Sequence, residues 1–319
     1  MVDSDNDVQE KDETNNETTV VEKACYNGYI ADEPLVTAKH GTLHGGLIFM
    51  TGDGTYGKLD DLDPARSSVY SVAVPATIQL ARLSVYYTWH YENDSLPQMK
   101  VTVDGTEVPV DKTYNDIKGQ CPGAMWNFPW GNYVYDVTHL ITGSGSYTVT
   151  VERTGGPTFC ITPPGLVIVY EDETEPLIEY WINEGADILI GGRRPDGGYL
   201  SLEECTNTAL FSGGNIDTGA VAQAVLGVVS PWGDSVVDDV LSFNGVEIGR
   251  GLYQGYDSLV DITVGAMSMH TGSSNAQVGI HAADIDISSL QATGNYASQG
   301  DDGDCMMPTN AFLVVEYNP

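Results

Sequence analysis

Hydrophobic and polar residues alternate along short segments of this chain. The alternation is clearest in residues 81–89, where one face carries Leu83, Val85, Tyr87 and Trp89 and the other carries Arg82, Ser84, Tyr86 and Thr88. A period of two residues is typical of a β-strand. The pair Asp104-Gly105 separates two such segments and predicts a tight hairpin turn, because glycine tolerates a positive φ. Helical periodicity is scarce, and the apolar segment 220–226 is better interpreted as a buried strand, so the pattern predicts an all-β fold.

The order of these elements occurs twice along the chain, with a separation of roughly 140 to 150 residues. The matching segments are 103–108 with 243–248, 136–140 with 286–290, 142–143 with 293–294, and 160–171 with 305–316. Because the matches keep the same order, they predict an internal duplication. Many short strands joined by turns favour a sandwich. We therefore expect two tandem jelly-roll-like antiparallel β-sandwich domains.

The expected domain boundaries follow from changes in composition. Residues 1–24 are polar, acidic and without periodicity, which predicts a disordered acidic tail. The first β-sandwich domain is expected over residues 25–185 and the second over residues 186–319. A glycine-rich connector or hairpin tip at 191–198 lies near the junction.

The charge of the chain excludes several classes of partner. The 319 residues include 45 acidic and 13 basic side chains, a net charge of −32. Such a surface repels nucleic acid and anionic lipid. The bases beyond Lys118 are Arg153, Arg193, Arg194 and Arg250, too few for a cluster of phosphate contacts. No segment approaches the ~18 apolar residues of a membrane helix, so no membrane span is expected.

The five cysteines are Cys25, Cys121, Cys160, Cys205 and Cys305. None forms a C-x-x-C pair, which argues against a zinc ribbon or a thioredoxin-like motif. Wide spacing in a β-rich chain favours disulfides formed in an oxidising compartment. The expected pairs are Cys121–Cys160 and Cys205–Cys305, with Cys25 left over, and five buried thiols are the alternative. We expect a secreted protein whose leader peptide has been removed.

Two acidic clusters are candidate calcium sites, because calcium takes carboxylate oxygens as ligands. The candidate ligands are Asp53, Asp60, Asp61 and Asp63 in one cluster and Asp301, Asp302 and Asp304 in the other. The alternative is that both clusters are solvated loops. No motif requires a cofactor. The segment 52–57 fits G-x-G-x-x-G, but clustered carboxylates and Pro64 follow it where a dinucleotide site needs a helix.

An aromatic segment in the long loop of the first unit is a candidate ligand site. Its side chains are Trp126, Phe128, Trp130 and Tyr133, which could stack on the apolar faces of sugars. The alternative is a loop folded back to cap the sandwich. His40 and His44 are too few to hold a metal ion. Asn16 and Asn93 begin N-x-Ser/Thr sequons and are candidate glycosylation sites.

Several segments resemble a known family. They are His-Gly-Thr-Leu-His-Gly-Gly at 40–46, Ala-Arg-Leu at 81–83, Tyr-Asp-Val-Thr at 135–138 and, most specific, Ile-Glu-Tyr-Trp-Ile-Asn-Glu-Gly at 178–185. Over nearly all of residues 28–319, the chain resembles archaeal surface proteins common in methanogens, known as domain of unknown function 3344. The resemblance implies secretion, often with attachment to the cell surface, and no known catalytic residues.

These features together predict a non-catalytic, extracellular cell-surface protein. We expect a structural or self-assembling component of the envelope, such as a surface layer or sheath, whose partners are copies of itself or other envelope proteins. The alternative is an adhesion or carbohydrate-binding module that recognises glycans. The chain contains no G-x-S-x-G elbow, so nucleophilic catalysis finds no support in the sequence.

Overall fold

The regular structure of this protein consists of β-strands. The computed structural model describes residues 29–74, 76–90, 96–117, 129–193, 199–236, 238–303 and 305–319. Within these ranges the one helical element is a 3-10 turn at Ile287–Ser289. The predicted all-β class is therefore confirmed. The expected acidic tail at 1–24 lies outside the described ranges. No helix in them is long and apolar enough to cross a bilayer.

The chain order of the strands is as follows. Up to residue 171 they are β1 (Val36–Thr51), β2 (Gly57–Leu59), β3 (Ala65–Val72), β4 (Thr77–Thr88), β5 (Gln98–Val103), β6 (Thr106–Val108), β7 (Lys112–Asp116), β8 (Trp130–Asp136), β9 (Gly145–Gly155), β10 (Phe159–Ile161) and β11 (Gly165–Glu171). After it they are β12 (Leu177–Glu184), β13 (Gly192–Arg193), β14 (Tyr199–Leu200), β15 (Thr206–Leu210), β16 (Val221–Pro231), β17 (Val240–Phe243), β18 (Val246–Arg250), β19 (Asp261–Val264), β20 (Met267–His270), β21 (Val278–Asp284), β22 (Tyr296–Gly300) and β23 (Asn310–Tyr317).

These strands form one large sheet and three smaller ones. The main path of the large sheet is β2-β10-β4-β11-β1-β12-β23-β16-β21, with β7 and β8 beside β4, and β19 and β20 beside β1. Two four-stranded sheets have the orders β3-β9-β5-β6 and β15-β22-β17-β18, and β13 pairs with β14. Neighbouring strands are antiparallel except for β1 and β20, which are parallel. The antiparallel character expected from the sequence is thus confirmed.

Each four-stranded sheet packs against a different part of the large sheet. The β3-β9-β5-β6 sheet contributes Val103 and Val149 to a core with Leu83 and Ile168 of the large sheet. The β15-β22-β17-β18 sheet contributes residues such as Phe243 to a second core with the β16 and β23 strands. Apolar burial on two separate faces explains why the large sheet carries so few exposed side chains at its centre.

Strand β4 is buried on both faces, although its sequence alternates. Leu83 and Tyr87 belong to one core, whereas Tyr86 belongs to the other. Arg82 is 1% exposed, so the face that carries polar residues in the sequence does not face solvent. The reason is that β4 lies between other strands of the large sheet and is covered on both sides.

Strand β1 is shared between two partners. Its first half pairs with β12, from Val36 opposite Glu184 to His44 opposite Leu177. Its second half pairs with β11 on one side and with β20 on the other. The change of partner occurs at Gly45, which has φ +151°, and a Cβ there would lie 1.9 Å from the Tyr170 carbonyl oxygen. Only glycine fits this close approach of two backbones.

A buried ion pair joins β4 to β12. The Arg82 guanidinium donates from Nε to Glu184 Oε1 at 2.5 Å and from Nη2 to Glu184 Oε2 at 2.9 Å. Both side chains are 1% exposed. Arg82 Nη1 donates to Asp111 Oδ2 at 2.9 Å, which satisfies a third donor. The bidentate geometry holds the last residue of β12 against the middle of β4.

Replacing Arg82 with methionine is expected to destabilise the fold strongly. The Glu184 carboxylate would stay buried without its partner, and such losses cost about 3–5 kcal/mol. Chemical unfolding measures the free energy. The matched control is Arg250→Met, because the Arg250–Glu247 pair has side chains 41% and 50% exposed and belongs to a class worth about 0–1 kcal/mol. Equal losses of unfolding free energy in the two variants would contradict a stabilising role specific to the buried Arg82–Glu184 pair.

Candidate binding site

The ends of several long strands converge on one pocket. Its volume is about 320 Å³, and we call it the aromatic pocket, defined by Tyr56, Trp89, Trp130, Ile190, Trp232, Tyr256, Gln277 and Cys305. Trp89 directly follows β4, Trp130 is the first residue of β8, and Trp232 directly follows β16. These segments are far apart in sequence, so the pocket exists only in the complete fold.

The rings of the aromatic pocket stand at steep angles to one another. Trp130 and Trp232 are perpendicular, with an interplanar angle of 90° and ring centroids 4.6 Å apart. Tyr56 meets Trp232 at 88° and 6.5 Å, and Trp89 is tilted by 43° from Trp130 at 6.3 Å. Edge-to-face contacts of this kind are favourable for aromatic pairs. In this arrangement the faces of the rings point in several different directions around the pocket.

Three residues of the aromatic pocket have left-handed backbone conformations. Among the described residues, five that are not glycine have a positive φ. Two of them, Asp104 and Asn244, precede glycine in hairpin turns, where this conformation is usual. The other three are Trp89 at 56°, Trp232 at 66° and Gln277 at 53°.

The surrounding backbone holds this strained conformation in place. The Trp232 amide donates to the Gln277 carbonyl at 3.0 Å, and the Gln277 amide donates to the Tyr256 carbonyl at 2.9 Å. Each left-handed residue of this kind costs of the order of 1–3 kcal/mol and is typical of functional sites. The fold therefore accepts strain at the residues that line the pocket.

The polar groups of the aromatic pocket are few and uncharged. Trp130 is 3% exposed, and its Nε1 has no hydrogen-bond partner in the described part of the chain. Burial raises the pKa of Tyr56 well above its usual 10, and contact with the Cys160 thiol adds to the shift, so the phenol stays neutral at physiological pH. This indole N–H is itself buried, so leaving it without a partner carries a cost in free energy.

The predicted aromatic segment is only partly at this site. Trp130 lines the aromatic pocket. Tyr133, three positions along β8, points to the opposite face, where it packs at 79° against Tyr87 and donates to the Pro97 carbonyl at 3.3 Å. Trp126 and Phe128 lie outside the described residues. Trp89 and Trp232 also line the pocket and were not predicted as site residues, although each follows a long apolar strand.

The first predicted calcium cluster is divided among separate partners. Asp60 pairs with Lys58 at 2.7 Å, Asp61 with Arg153 at 2.7 Å, Asp63 with Arg66 at 3.1 Å, and Asp53 accepts from the Val69 amide at 2.7 Å. Hydrogen bonds from Lys58 and from two backbone amides lower the pKa of Asp60 to about 2. The structure does not bring these four carboxylates together around one point, and the calcium hypothesis for them stays a prediction.

The second predicted cluster is also engaged within the fold. Asp301 is fully buried and accepts from the amides of Gly191 at 2.9 Å and Gly303 at 3.0 Å. Asp302 contacts Arg250 at 3.4 Å. Asp304 lies outside the described residues. Asp301 therefore fixes the backbone beside the pocket residue Cys305.

The structure assembles a different group of carboxylates. Oxygens of Asp32, Asp116 and Asp187 lie within 4.8 Å of one another, and this is the one such group of three in the described ranges. Asp187 accepts from Asn207 Nδ2 at 2.7 Å, and Asp116 accepts from the Ile188 amide at 2.6 Å. These residues are distant in sequence, so no local spacing could have indicated the group.

Two of the four family-like segments, 40–46 and 178–185, face each other across the β1–β12 pairing. His40 lies opposite Trp181, stacks on it with centroids 4.8 Å apart, and bonds through Nε2 to Glu179 Oε1 at 2.8 Å. Tyr317 of β23 donates to Glu179 Oε2 at 2.5 Å. His44 instead contacts the Glu175 carbonyl through Nδ1 at 3.0 Å. The two histidines thus make separate contacts, His40 with a β12 side chain and His44 with the backbone just before β12.

The described cysteines do not form the predicted disulfide. No disulfide joins Cys160, Cys205 or Cys305 to one another. Cys205 is fully buried and donates through Sγ to the Tyr29 carbonyl at 3.3 Å. Cys305 lies in the wall of the aromatic pocket. The two cysteines therefore lie in different surroundings. Cys25 and Cys121 lie outside the described residues, as do the sequon residues Asn16 and Asn93.

Thiol labelling of the native protein is expected to be slow at Cys160. Burial raises the pKa of this thiol, so the reactive thiolate is scarcer at neutral pH than in an exposed cysteine. Alkylation with peptide-level mass spectrometry measures the rate, and the denatured protein is the control. Native labelling as fast as the denatured control would contradict the described burial.

The chain is remotely similar to several solved structures. The chain is similar to a peptide-N(4)-(N-acetyl-β-D-glucosaminyl)asparagine amidase, with 12% identity, a TM-score of 0.26, and 88% of this chain and 97% of that chain covered. PNGase F, a glycosylasparaginase from Flavobacterium meningosepticum, has 11% identity, a TM-score of 0.26, and coverage of 88% and 97%. The major capsid protein P2 of bacteriophage PM2 has 8% identity, a TM-score of 0.23, and coverage of 86% and 98%. TM-scores this low carry no argument about function.

No curated protein matches the chain. The profile of one protein family matches residues 28–316, which is most of the sequence. The chain therefore belongs to the family described as a protein of unknown function, DUF3344.

Proposed function

We propose that this chain is a non-catalytic binding protein of the cell exterior and that its ligand occupies the aromatic pocket. The observation that carries the proposal is the left-handed backbone of Trp89, Trp232 and Gln277, all in the wall of one pocket. Strained backbone conformations cluster at functional sites, so three of them in one pocket wall indicate that the pocket has a function. Large aromatic side chains around a concave site are typical of ligand binding.

The chemistry of the pocket wall supports binding. Its described residues are mainly aromatic, and Ile190, Gln277 and Cys305 complete the wall. Ligand pockets are lined mostly by hydrophobic and aromatic side chains, with a few polar groups that orient the ligand. The net charge of −32 supports a place at the cell surface, because it keeps the protein hydrated.

We also propose that the two halves of the fold are tandem jelly-roll-like sandwiches derived from an internal duplication. The order β8-β4-β11-β1 in the large sheet corresponds to β21-β16-β23-β12, and β3-β9-β5-β6 corresponds to β15-β22-β17-β18. The hairpin turns Asp104-Gly105 and Asn244-Gly245 share nearly the same φ values. Under this proposal the second unit begins with β12, before the boundary predicted at residue 185.

The duplication would make the aromatic pocket pseudo-symmetric. Trp89 follows β4 and Trp232 follows β16, which are corresponding strands, and both residues have a left-handed φ. Each unit thus contributes one tryptophan from the same structural position. Their meeting in one pocket supports a ligand site that arose when the two units came together.

The variant Trp232→Ala is expected to lose ligand binding while the protein remains folded. Removal of the indole opens the wall that faces Tyr56 and Trp130. A ligand-observed NMR screen of glycans and small metabolites provides the ligand, and far-ultraviolet circular dichroism with thermal melting reports the fold. Tyr199→Ala is the matched control, because this tyrosine is 70% exposed and lies outside the pocket. Unchanged binding to Trp232→Ala by every hit would rule out the aromatic pocket.

Self-assembly into an envelope layer is a second candidate function. Strand β18 ends its sheet, and no described strand pairs with its outer side. Its residue Val246 is 58% exposed. An edge strand with exposed apolar side chains can pair with another chain.

The variant Val246→Lys is expected to reduce the mass of assembled particles, because a charge on an edge strand opposes strand addition. Light scattering in native salt with and without calcium measures the mass. Leu259→Lys is the control, since Leu259 is 67% exposed but lies outside the strands. A monomeric wild-type protein under both conditions would contradict self-assembly and leave the binding proposal untouched.

A further inference from the structure

We infer that the ligand of the aromatic pocket is a small organic cation of the quaternary ammonium class, held by the faces of the aromatic rings. This inference rests on the proposed function, because it names the ligand class of the same site. It excludes a neutral sugar as the main ligand.

The first support is the arrangement of the rings. Because Trp130 and Trp232 are perpendicular and Tyr56 meets Trp232 at 88°, the ring faces do not form one flat platform. A flat platform suits the broad apolar face of a sugar ring. Rings in several orientations suit a compact, rounded group that presents the same surface in each direction, such as a trimethylammonium group.

The second support is electrostatic. The face of an aromatic ring is negative, so it attracts a cation, and tryptophan does so most strongly. Three of the wall residues are tryptophans, and the described wall contains no lysine, arginine or histidine that would repel a positive ligand. The net charge of −32 also favours the approach of cations from solution.

The third support is the scarcity of polar groups. Sugars carry a hydroxyl on most carbons and need several hydrogen-bond partners inside a site. The polar side-chain groups of the wall are the Gln277 amide, two phenols, the indole N–H groups and the Cys305 thiol. A quaternary ammonium has no N–H to satisfy, so these groups suffice for it. The Gln277 side-chain amide in the wall can donate to a neighbouring oxygen of the same ligand, such as the hydroxyl of choline.

The size of the pocket agrees with a small ligand. Its volume of about 320 Å³ lies at the lower end of ligand pockets, which span about 300–1,000 Å³. Tyr56 remains a neutral phenol at physiological pH, so the wall offers ring faces rather than an anionic oxygen. Recognition then depends on the positive charge of the ligand and on its shape.

The test compares two ligands of the same shape that differ in charge. Choline and its neutral carbon isostere, 3,3-dimethylbutan-1-ol, are titrated into the full chain and followed by NMR or calorimetry, with tetramethylammonium as a third probe. The expected result is that choline binds at least about tenfold more tightly than the isostere, because only the cation gains from the ring faces. Equal affinities would overturn the inference and leave an apolar binding pocket.

Variants of the pocket separate charge recognition from packing. Trp232→Leu keeps an apolar side chain and removes a ring face, and Tyr256→Leu does the same at a half-buried position that tolerates change better. Both are expected to weaken choline binding by about tenfold and to leave the isostere nearly unchanged. Tyr199→Leu is the control outside the pocket and is expected to change neither.

The outcomes distinguish this inference from the proposed function. Glycan binding that requires Trp232, together with no response to choline or tetramethylammonium, would overturn the cation inference and retain the proposed function. No binding of any cation, sugar or metabolite to the wild-type protein would overturn both.

Discussion

The backbone pairing of β1 is the constraint on which the rest of this fold depends. Buried amide and carbonyl groups must find partners, and β1 satisfies its own with β12 along one half and with β11 and β20 along the other. Gly45 permits the change of partner, and the Arg82–Glu184 pair holds the opposite end of β12 against β4. Together these contacts bring the ends of β4 and β16 close enough to enclose a pocket.

Local features of the fold could be predicted from the sequence, whereas long-range ones could not. Alternation and Gly turns indicate strands and hairpins such as the one at Asp104-Gly105, because these depend on neighbouring residues. The burial of Arg82 depends on Glu184, 102 positions away, and nothing in the local pattern of β4 indicates that partner. The sharing of β1 is hidden for the same reason, since strand register across such distances follows from the assembled core.

The candidate site illustrates the same limit. Trp130 was predicted because aromatic residues cluster around it. Trp89 also follows two aromatic residues, Tyr86 and Tyr87, but these belong to the two cores, so their presence does not indicate a pocket. Trp232 is a single tryptophan at a strand end and has no aromatic neighbours in sequence. Clusters of acidic residues in the sequence predicted the ligand site less well than clusters of aromatic residues did. The carboxylates of Asp60, Asp61 and Asp63 are paired with bases, so a run of aspartates indicated loop architecture at least as much as cation chemistry.

The sharing of β1 also has a kinetic consequence. His40 and Glu179 are 139 positions apart, so β1 is synthesised well before the strand β12 with which it pairs. Proteins dominated by such distant contacts fold slowly, and unpaired strands exposed meanwhile promote aggregation. The rate at which β12 reaches β1 should therefore govern the yield of native protein, and a chaperone that shields β1 during translation would raise that yield more than one acting on the finished chain.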